Sequence, residues 1–569
     1  MRDRVGALAP LVAAAAAIVA CSPVPEPAPA YDPAALRFDG EAALARLGAF
    51  VEAFPRRHSG TESNEAAAGF IEAFGRAQGL ACRRDRWSVV NFSEALALGD
   101  VICERRGSSG RSIVVVAHHD QSPNTIEGAD NDGSGITILL GLMEIFAAEP
   151  ANHTLVFLAA DAEEWGMLGS LRYVETHPDP GSIVAAISLD NLGKYFYDGL
   201  IMEPTGQVRG YGAISLQLAA RAAARAAGDL WVPRLRAPLE QVLDQAVPIS
   251  FMDQGPFVAA GVPALGFAGW VPEAHREEHW QSYHSPGDMM ALQGARSLHQ
   301  AGRVAEALVR QLQGAPPPVR EGGPYLYSEG SGELLRGAPL AAIFAGIVGL
   351  FALGSAAAGG WKAPRIGAAW RRAWPDVAAI FVPLALSMVV LRVLVASGLM
   401  LDFHLYPATP KDPEIFQPRW PAVAIYLGSL AGLLALGRWL ARRAGGEAPS
   451  FADRKSVALA LVAAAGLYVA AVNPFSLLFV VPALAWLGVG GRRGLGRVVD
   501  GVCLATGGLV LYALVYFFGF VILRSGLGVL WYLMMMFAIG MVSLPSAIAV
   551  GAVVAGGAVL AVPGAERRG

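Results

Sequence analysis

From residue 338 onward the chain is a succession of apolar stretches about as long as a bilayer is thick, and this constrains its fold more than any other feature. A helix of ~20 residues rising ~1.5 Å per residue spans the ~30 Å hydrocarbon core. Backbone polar groups inside that core must be satisfied within the segment, so such stretches become helices. They run roughly over 338–358, 375–401, 421–440, 456–472, 475–490 and 500–523; the last, 526–562, is too long for one span and contains Pro545. The expectation is an all-α polytopic transmembrane domain over 338–562 with seven or eight helices.

Charge divides the chain at the same place. Of the 47 Asp and Glu only eight follow residue 340, against 18 of the 44 Lys and Arg, so an acidic first part precedes a basic second part. Only 16% of residues are charged and 54% are hydrophobic, where soluble domains carry ~25% charged residues. Lys362, Arg365, Arg371 and Arg372, then Arg438, Arg442, Arg443, Arg454 and Lys455, then Arg492, Arg493 and Arg497 recur after alternate spans, as the positive-inside rule requires of cytoplasmic loops. Residue 338 then begins outside. Arg392 falls within a span and is expected to snorkel or pair near the helix end.

Residues 1–21 fit that topology. Met1-Arg2-Asp3-Arg4 precedes a short apolar run ending in Ile18-Val19-Ala20-Cys21, which reads as a signal with a lipobox or as an uncleaved N-terminal anchor. Residues 22–35, rich in Pro and Ala, and 316–337, which follow Pro316-Pro317-Pro318, are expected to be linkers around an exported domain at 36–315. Outside the cytoplasm Cys82 and Cys103, on two candidate strands, form either a disulfide or two unpaired thiols. An acidic exported domain gives no reason to expect a nucleic-acid partner; the bilayer itself is the expected one.

Within 36–315, helical periodicity covers Phe38 to Phe54 and Ser63 to Gly79, Gly135 to Ala148 is an apolar helix, and Ser112–Ala117, Thr154–Ala160 and Ala185–Leu189 are short buried strands. Alternating strands and helices imply an α/β sheet with parallel members, whose sites lie at the carboxyl ends of the strands. Groups of metal-ligand type fall there: His118-x-Asp120 after the first strand, Glu163-Glu164 after the second, Asp190 after the third, with Gly128-Ala129-Asp130-Asn131-Asp132-Gly133-Ser134-Gly135 between them and His284 beyond.

These segments, with Pro55-Arg56-Arg57-His58-Ser59-Gly60, Gly166-x-Leu168-Gly169-Ser170, Asp253-x-x-Pro256-Phe257, Gly261-Val262-Pro263 and Tyr283-His284-Ser285, resemble in order and spacing the co-catalytic di-zinc aminopeptidase family. That group holds bacterial leucyl aminopeptidases and, more distantly, glutamate carboxypeptidase, glutaminyl cyclase and the transferrin receptor. The resemblance implies a zinc-exopeptidase-like mixed sheet flanked by helices. It implies that His118 and Asp190 hold one zinc, Glu164 and His284 another, and a carboxylate both, with two ions expected and one possible. Imidazole and carboxylate suit zinc, and open positions leave room for water and substrate. Glu163 would act as general base toward a metal-bound hydroxide, and Asp120 would orient His118. Peptide substrates follow, as does an aminopeptidase activity. The layout of exported peptidase and following spans is similar to vacuolar and endoplasmic-reticulum membrane members, and the composition suggests the periplasmic face of a bacterial inner membrane.

One position departs from the pattern. The bridging residue, fourth of Gly128-Ala129-Asp130-Asn131, is an amide here, with one good oxygen donor where a carboxylate has two charged ones. Either a shifted loop brings Asp130 or Asp132 to the bridge, or one metal is held firmly, or catalysis is impaired. His119, His275 and His279 read as polar loop residues, and Tyr283 as a substrate contact or a packed aromatic. Two further functions remain open: a receptor or assembly scaffold, which Asn131 favours, and a single-zinc glutaminyl cyclase, which His118 opposes.

Overall fold

The structure is a computed structural model. It describes residues 21–91, 94–246, 248–320, 323–336, 364–400, 418–443, 449–480 and 526–538, with 342, 343, 345, 346, 349, 551 and 552. One compact unit is built on residues 22–334 and a second on residues from 335 onward. The candidate signal segment 1–20, the span expected at 500–523, most of that expected at 338–358 and residues 481–490 of that expected at 475–490 lie outside the described residues.

The first unit centres on a seven-stranded mixed sheet. Its strands are β2 (Ala81–Asn91), β3 (Glu94–Arg105), β4 (Ser112–His118), β5 (Thr154–Ala160), β6 (Ile183–Leu189), β7 (Leu200–Glu203) and β8 (Ala264–Gly269), in spatial order β2-β3-β5-β4-β6-β8-β7. The inner four, β5-β4-β6-β8, are parallel, and the outer strands pair antiparallel. Every residue of β4 and β6 is buried, as parallel strands covered on both faces require, which is why they read as unbroken apolar runs. Each buried Val, Ile or Leu contributes about 1.5–3 kcal/mol relative to exposure.

Helices cover the faces: α1 (Gly40–Ala53), α2 (Glu62–Ala77), α3 (Gly135–Ala147), α4 (Leu168–Thr176), α5 (Ile214–Ala227), α6 (Pro238–Ala246), α7 (Gln254–Ala259), α8 (Arg276–Ser282) and α9 (Ala295–Gly314). Asp39 and Thr61 cap α1 and α2 through their side chains, accepting backbone N–H bonds that the first turn leaves unpaired. The helices and strands expected from periodicity are found within a few residues of the expected ends. Cys82 and Cys103 face each other across β2 and β3 and are joined as a disulfide.

The two segments expected to be linkers are instead packed on this unit. In the first, Ala30 donates to Gln311 Oε1 (2.6 Å), Gln311 Nε2 donates to Ala28 O (2.9 Å), and Glu26 pairs with Arg221 and Arg225. In the second, β9 (Tyr325–Ser328) and β10 (Glu333–Arg336) form a small sheet with β1 (Cys21–Pro23), in order β1-β10-β9. Gln241 and Gln245, one turn apart on α6, bond the backbone of Tyr327 and Tyr325 through both amide atoms (2.7–3.1 Å). Those glutamines stand where a neighbouring strand would, so composition alone misreads these residues.

In the second unit, α10 (Pro364–Ala396), α11 (Trp420–Arg443), α12 (Phe451–Val472) and α13 (Val529–Ala538) are described. Among the described residues two helices, Gly367–Ala396 and Trp420–Arg443, are long and apolar enough to cross a membrane. Arg372 near the start of α10 bonds Asp453 in the first turn of α12 (3.3 Å), and Ser450 and Asp453 form a capping box there. The starts of α10 and α12 are therefore neighbours. Trp439 and Arg443, in cation-π contact at 4.0 Å, mark the end of α11. The spans expected at 375–401, 421–440 and 456–472 fall almost entirely on described residues, and the others fall largely outside them.

Candidate metal centre

The parallel strands set the site. His118 is the last residue of β4, opposite Ala160 at the end of β5; Glu163 and Glu164 follow β5 by three and four residues, and Asp190 follows β6. The loop from Gly128 to Ser134 leads into α3, and Tyr283-His284 follows α8. Six side chains from five segments converge here: His118, Asn131, Glu163, Glu164, Asp190 and His284 are 1–8% exposed. Ligand-type atoms of His118, Glu163 and Glu164 lie within 4.8 Å of one another, as do those of His118, Asp132 and Asp190. Ala162, Asn191 and His284 adopt positive φ (59°, 54° and 49°). Left-handed non-glycine residues cost about 1–3 kcal/mol each and gather at functional sites.

Asn131 lies at the centre. His118 Nε2 donates to Asn131 Oδ1 (3.0 Å), while Asn131 Nδ2 donates to Glu164 Oε1 (2.6 Å) and lies 2.8 Å from His284 Nε2. His284 Nε2 is 3.1 Å from Glu164 Oε1, and His118 Nε2 is 3.8 Å from Asp190 Oδ1 and 3.7 Å from Glu163 Oε2. The amide thus spans the two pairs, His118 with Asp190 and Glu164 with His284. Its acidic neighbours are committed elsewhere. Asp130 accepts from Gly193 N (2.8 Å) and Tyr197 OH (2.5 Å). Asp132 accepts from His118 N (3.2 Å) and Gly135 N (2.8 Å). A side chain at Gly135 would place its Cβ 2.3 Å from Asp132 Oδ2 and 2.4 Å from Leu189 O, so only glycine lets the loop close against β6.

Asp120 stands behind His118, with Oδ1 3.3 Å from His118 Nδ1. It also accepts from the backbone N–H groups of Glu163 (3.1 Å) and Glu164 (3.2 Å) and from Ser59 Oγ (3.2 Å), so it fixes the acidic turn as well as the imidazole. Burial would raise its pKa, but the His118 hydrogen bond and charge hold it below the ordinary range. For His118, burial works against the cation, yet Glu163 and the bonds to Asp120 and Asp190 leave its pKa well above the usual value. Burial raises Glu163 well above a normal carboxyl; His118 opposes this, and Glu164 and Asp190 reinforce it.

Several residues to which the sequence assigned no role hold the loop from behind. Asp288 accepts from Asp130 N (2.9 Å) and Asn131 N (3.1 Å). The buried guanidinium of Arg57 donates to Glu127 O (2.5 Å), Gly128 O (2.6 Å) and Gln121 (3.0 Å). Lys194 Nζ lies beside Asp130 and His279. The signal for Asp288 was an acid four residues after a candidate ligand. Lys194 gave none beyond its position shortly after Asp190. His119 is buried between Asn64 and Gly99 O, and His275 stacks on Phe196 at 4.8 Å. His279 is not simply a loop residue, because it meets Lys194. Tyr283 lines a small cleft together with Asn131, Glu163, Glu164, Asp190, Met167 and Phe251.

The cluster suits zinc: the imidazoles of His118 and His284 and the carboxylates of Glu164 and Asp190, with that of Glu163 beside them, lie on a buried floor, open to a cleft. The amide at the centre is the one misfit. Residues 100–309 match peptidase family M28. Aminopeptidase YwaD of Bacillus subtilis is 25% identical over 217 residues, 35% of this chain and 40% of its own length. The vacuolar membrane protease of Vanderwaltozyma polyspora is 34% identical over 90 residues, 16% of this chain and 9% of its own. The chain thus spans less than half the length of either relative. Among solved structures, BSAP, a zinc aminopeptidase from Bacillus subtilis, aligns with a TM-score of 0.42 at 17% identity, covering 48% of this chain and 95% of that one. Porphyromonas gingivalis glutaminyl cyclase aligns with a TM-score of 0.41 at 20% identity, covering 48% and 98%. The resemblance read from the motifs therefore rests on a family match over the residues that carry the centre.

Proposed function

We propose that the chain is a membrane-bound zinc metallopeptidase acting as an aminopeptidase on peptides outside the cytoplasm. The observation that carries this reading is the convergence of His118, Glu163, Glu164, Asp190 and His284, all buried, on the Asn131 amide beneath a cleft, within the segment matching peptidase family M28. His118 and Asp190 would hold zinc on one side and Glu164 and His284 on the other, with Asn131 between. Bound there, zinc would supply Lewis acidity toward the scissile carbonyl and the attacking water. Glu163 takes the proton from that water as its oxygen bonds to the carbonyl carbon. It then passes the proton to the departing amine as the C–N bond breaks. Asp120 holds His118 and the Glu163 backbone in register, and Tyr283, Met167 and Phe251 wall the cleft that receives the substrate's end.

Localisation in a bacterial inner membrane, multi-pass and with the peptidase outside, is supported by the charge division at residue 340 and by two long apolar helices. Asn131 sets the metal stoichiometry. The Asn131 amide contacts both donor pairs and offers one oxygen, so the two ions should bind unequally. Zinc titration of the full-length protein tests this. Wild type should hold one ion tightly and a second at least about tenfold more weakly, about 1.4 kcal/mol, and Asn131→Asp should close the gap. Equal binding of two ions by wild type would refute the unequal pair, and no zinc binding by either protein would favour the scaffold reading.

A further inference from the structure

Lys194 follows Asp190 by four residues, is fully buried, and is not among the residues that line the cleft. Burying an ammonium costs several kcal/mol unless the charge is compensated. Its compensation comes from two segments that carry the metal centre. Nζ lies 3.4 Å from Asp130 Oδ2, and Asp130 immediately precedes Asn131. Nζ also donates to His279 Nδ1 at 3.2 Å. His279 stacks on Tyr283 (centroids 5.7 Å, interplanar 19°), whose ring lies 4.0 Å from that of His284. A single ammonium therefore joins the Asp190 segment, the Asn131 loop and the α8 turn that presents His284. The loop has acids on both sides of its backbone, because Asp288 receives the N–H groups of Asp130 and Asn131 while Asp130 turns its own carboxylate toward Lys194 and Tyr197.

We infer that Lys194 is a positioning residue for the metal centre: its charge holds Asp130, and through it Asn131, against the His279 side of the turn carrying His284. The inference rests on the zinc reading above. It assigns to a residue outside the donor set the task of keeping the two donor pairs at one spacing. Lys194→Met removes the charge at similar length and leaves Asp130 buried without it. Lys194→Met/Asp130→Asn removes both charges. His279→Phe keeps a ring against Tyr283 but removes the acceptor at a half-buried position.

The test is zinc affinity of the full-length protein, read by competition with a chromogenic chelator, beside the melting temperature of the zinc-free protein. Residues supporting metal ligands typically change affinity by about 10–100-fold. Lys194→Met should weaken zinc by that factor, and Asp130→Asn in the same chain should recover most of the loss, which mere destabilisation would not. His279→Phe should weaken zinc at least about threefold while the zinc-free melting temperature stays within a degree or two. The inference is overturned if folded Lys194→Met and His279→Phe both bind zinc within twofold of wild type, or if the double variant recovers nothing. Should Lys194→Met fail to fold, His279→Phe decides alone. If wild type itself binds no zinc, the failure belongs to the functional reading and not to Lys194.

Discussion

Asn131 sits where two donor pairs meet, and its amide answers each with a different atom: oxygen toward His118, nitrogen toward Glu164 and His284. A carboxylate would face both alike, so a one-atom change in the side chain makes the halves of the centre chemically distinct. Glu163 differs from its neighbour in another way. Glu164 is hydrogen-bonded to Asn131 and close to His284, whereas Glu163 faces the cleft 3.7 Å from His118 with burial raising its proton affinity. Glu163→Gln should therefore lower peptide turnover by about 10²–10⁴-fold, the usual worth of a general base, with zinc content unchanged by elemental analysis. Loss of zinc in that variant would mean that the roles of Glu163 and Glu164 are exchanged. The motifs made every residue that converges on Asn131 legible in the sequence. The roles of the groups behind it were not, because Lys194, Arg57 and Asp288 act through hydrogen bonds and ion pairs to residues far along the chain, which leave no periodicity or spacing to read.

Strands β4, β5 and β6 put His118, Glu163-Glu164 and Asp190 at adjacent carboxyl ends, and their apolar runs were visible because strands buried on both faces have no polar positions. The hairpin of β9 and β10 was invisible for the opposite reason. Its inward backbone groups are satisfied by Gln241 and Gln245 of α6, about 85 residues earlier, not by a strand with a β signature. The same holds for residues 28–30 against Gln311, 281 positions from Ala30. Replacing both Gln241 and Gln245 by Ala would leave four buried backbone bonds unmade, at about 1–3 kcal/mol each where no water enters. Amide exchange of Tyr325 and Tyr327 should then accelerate by at least about tenfold while β6 keeps its protection. Unchanged exchange in the hairpin would show that its own pairing suffices.

Across the whole chain, acidic and basic residues and soluble-type and apolar segments part near residue 340, and the family match over 100–309 lies wholly before that point. Arg372 and Asp453 bring the start of α10 beside the start of α12, so part of one basic cluster read from the sequence, at Arg371-Arg372, lies near part of another, at Arg454. Reporters fused after residue 336 should be active outside the cytoplasm and reporters fused at 445 inside it; a cytoplasmic signal at 336 would reverse the topology. The most direct measurement is release of the N-terminal residue from peptides and aminoacyl-nitroanilides by the full-length protein, stripped with a chelator and then given zinc. Turnover should vanish on stripping and return with zinc. Absence of hydrolysis of any such substrate by the folded wild type in excess zinc, with Asn131→Asp equally silent, would contradict the assignment of a peptidase and leave a protein that keeps the fold without the chemistry.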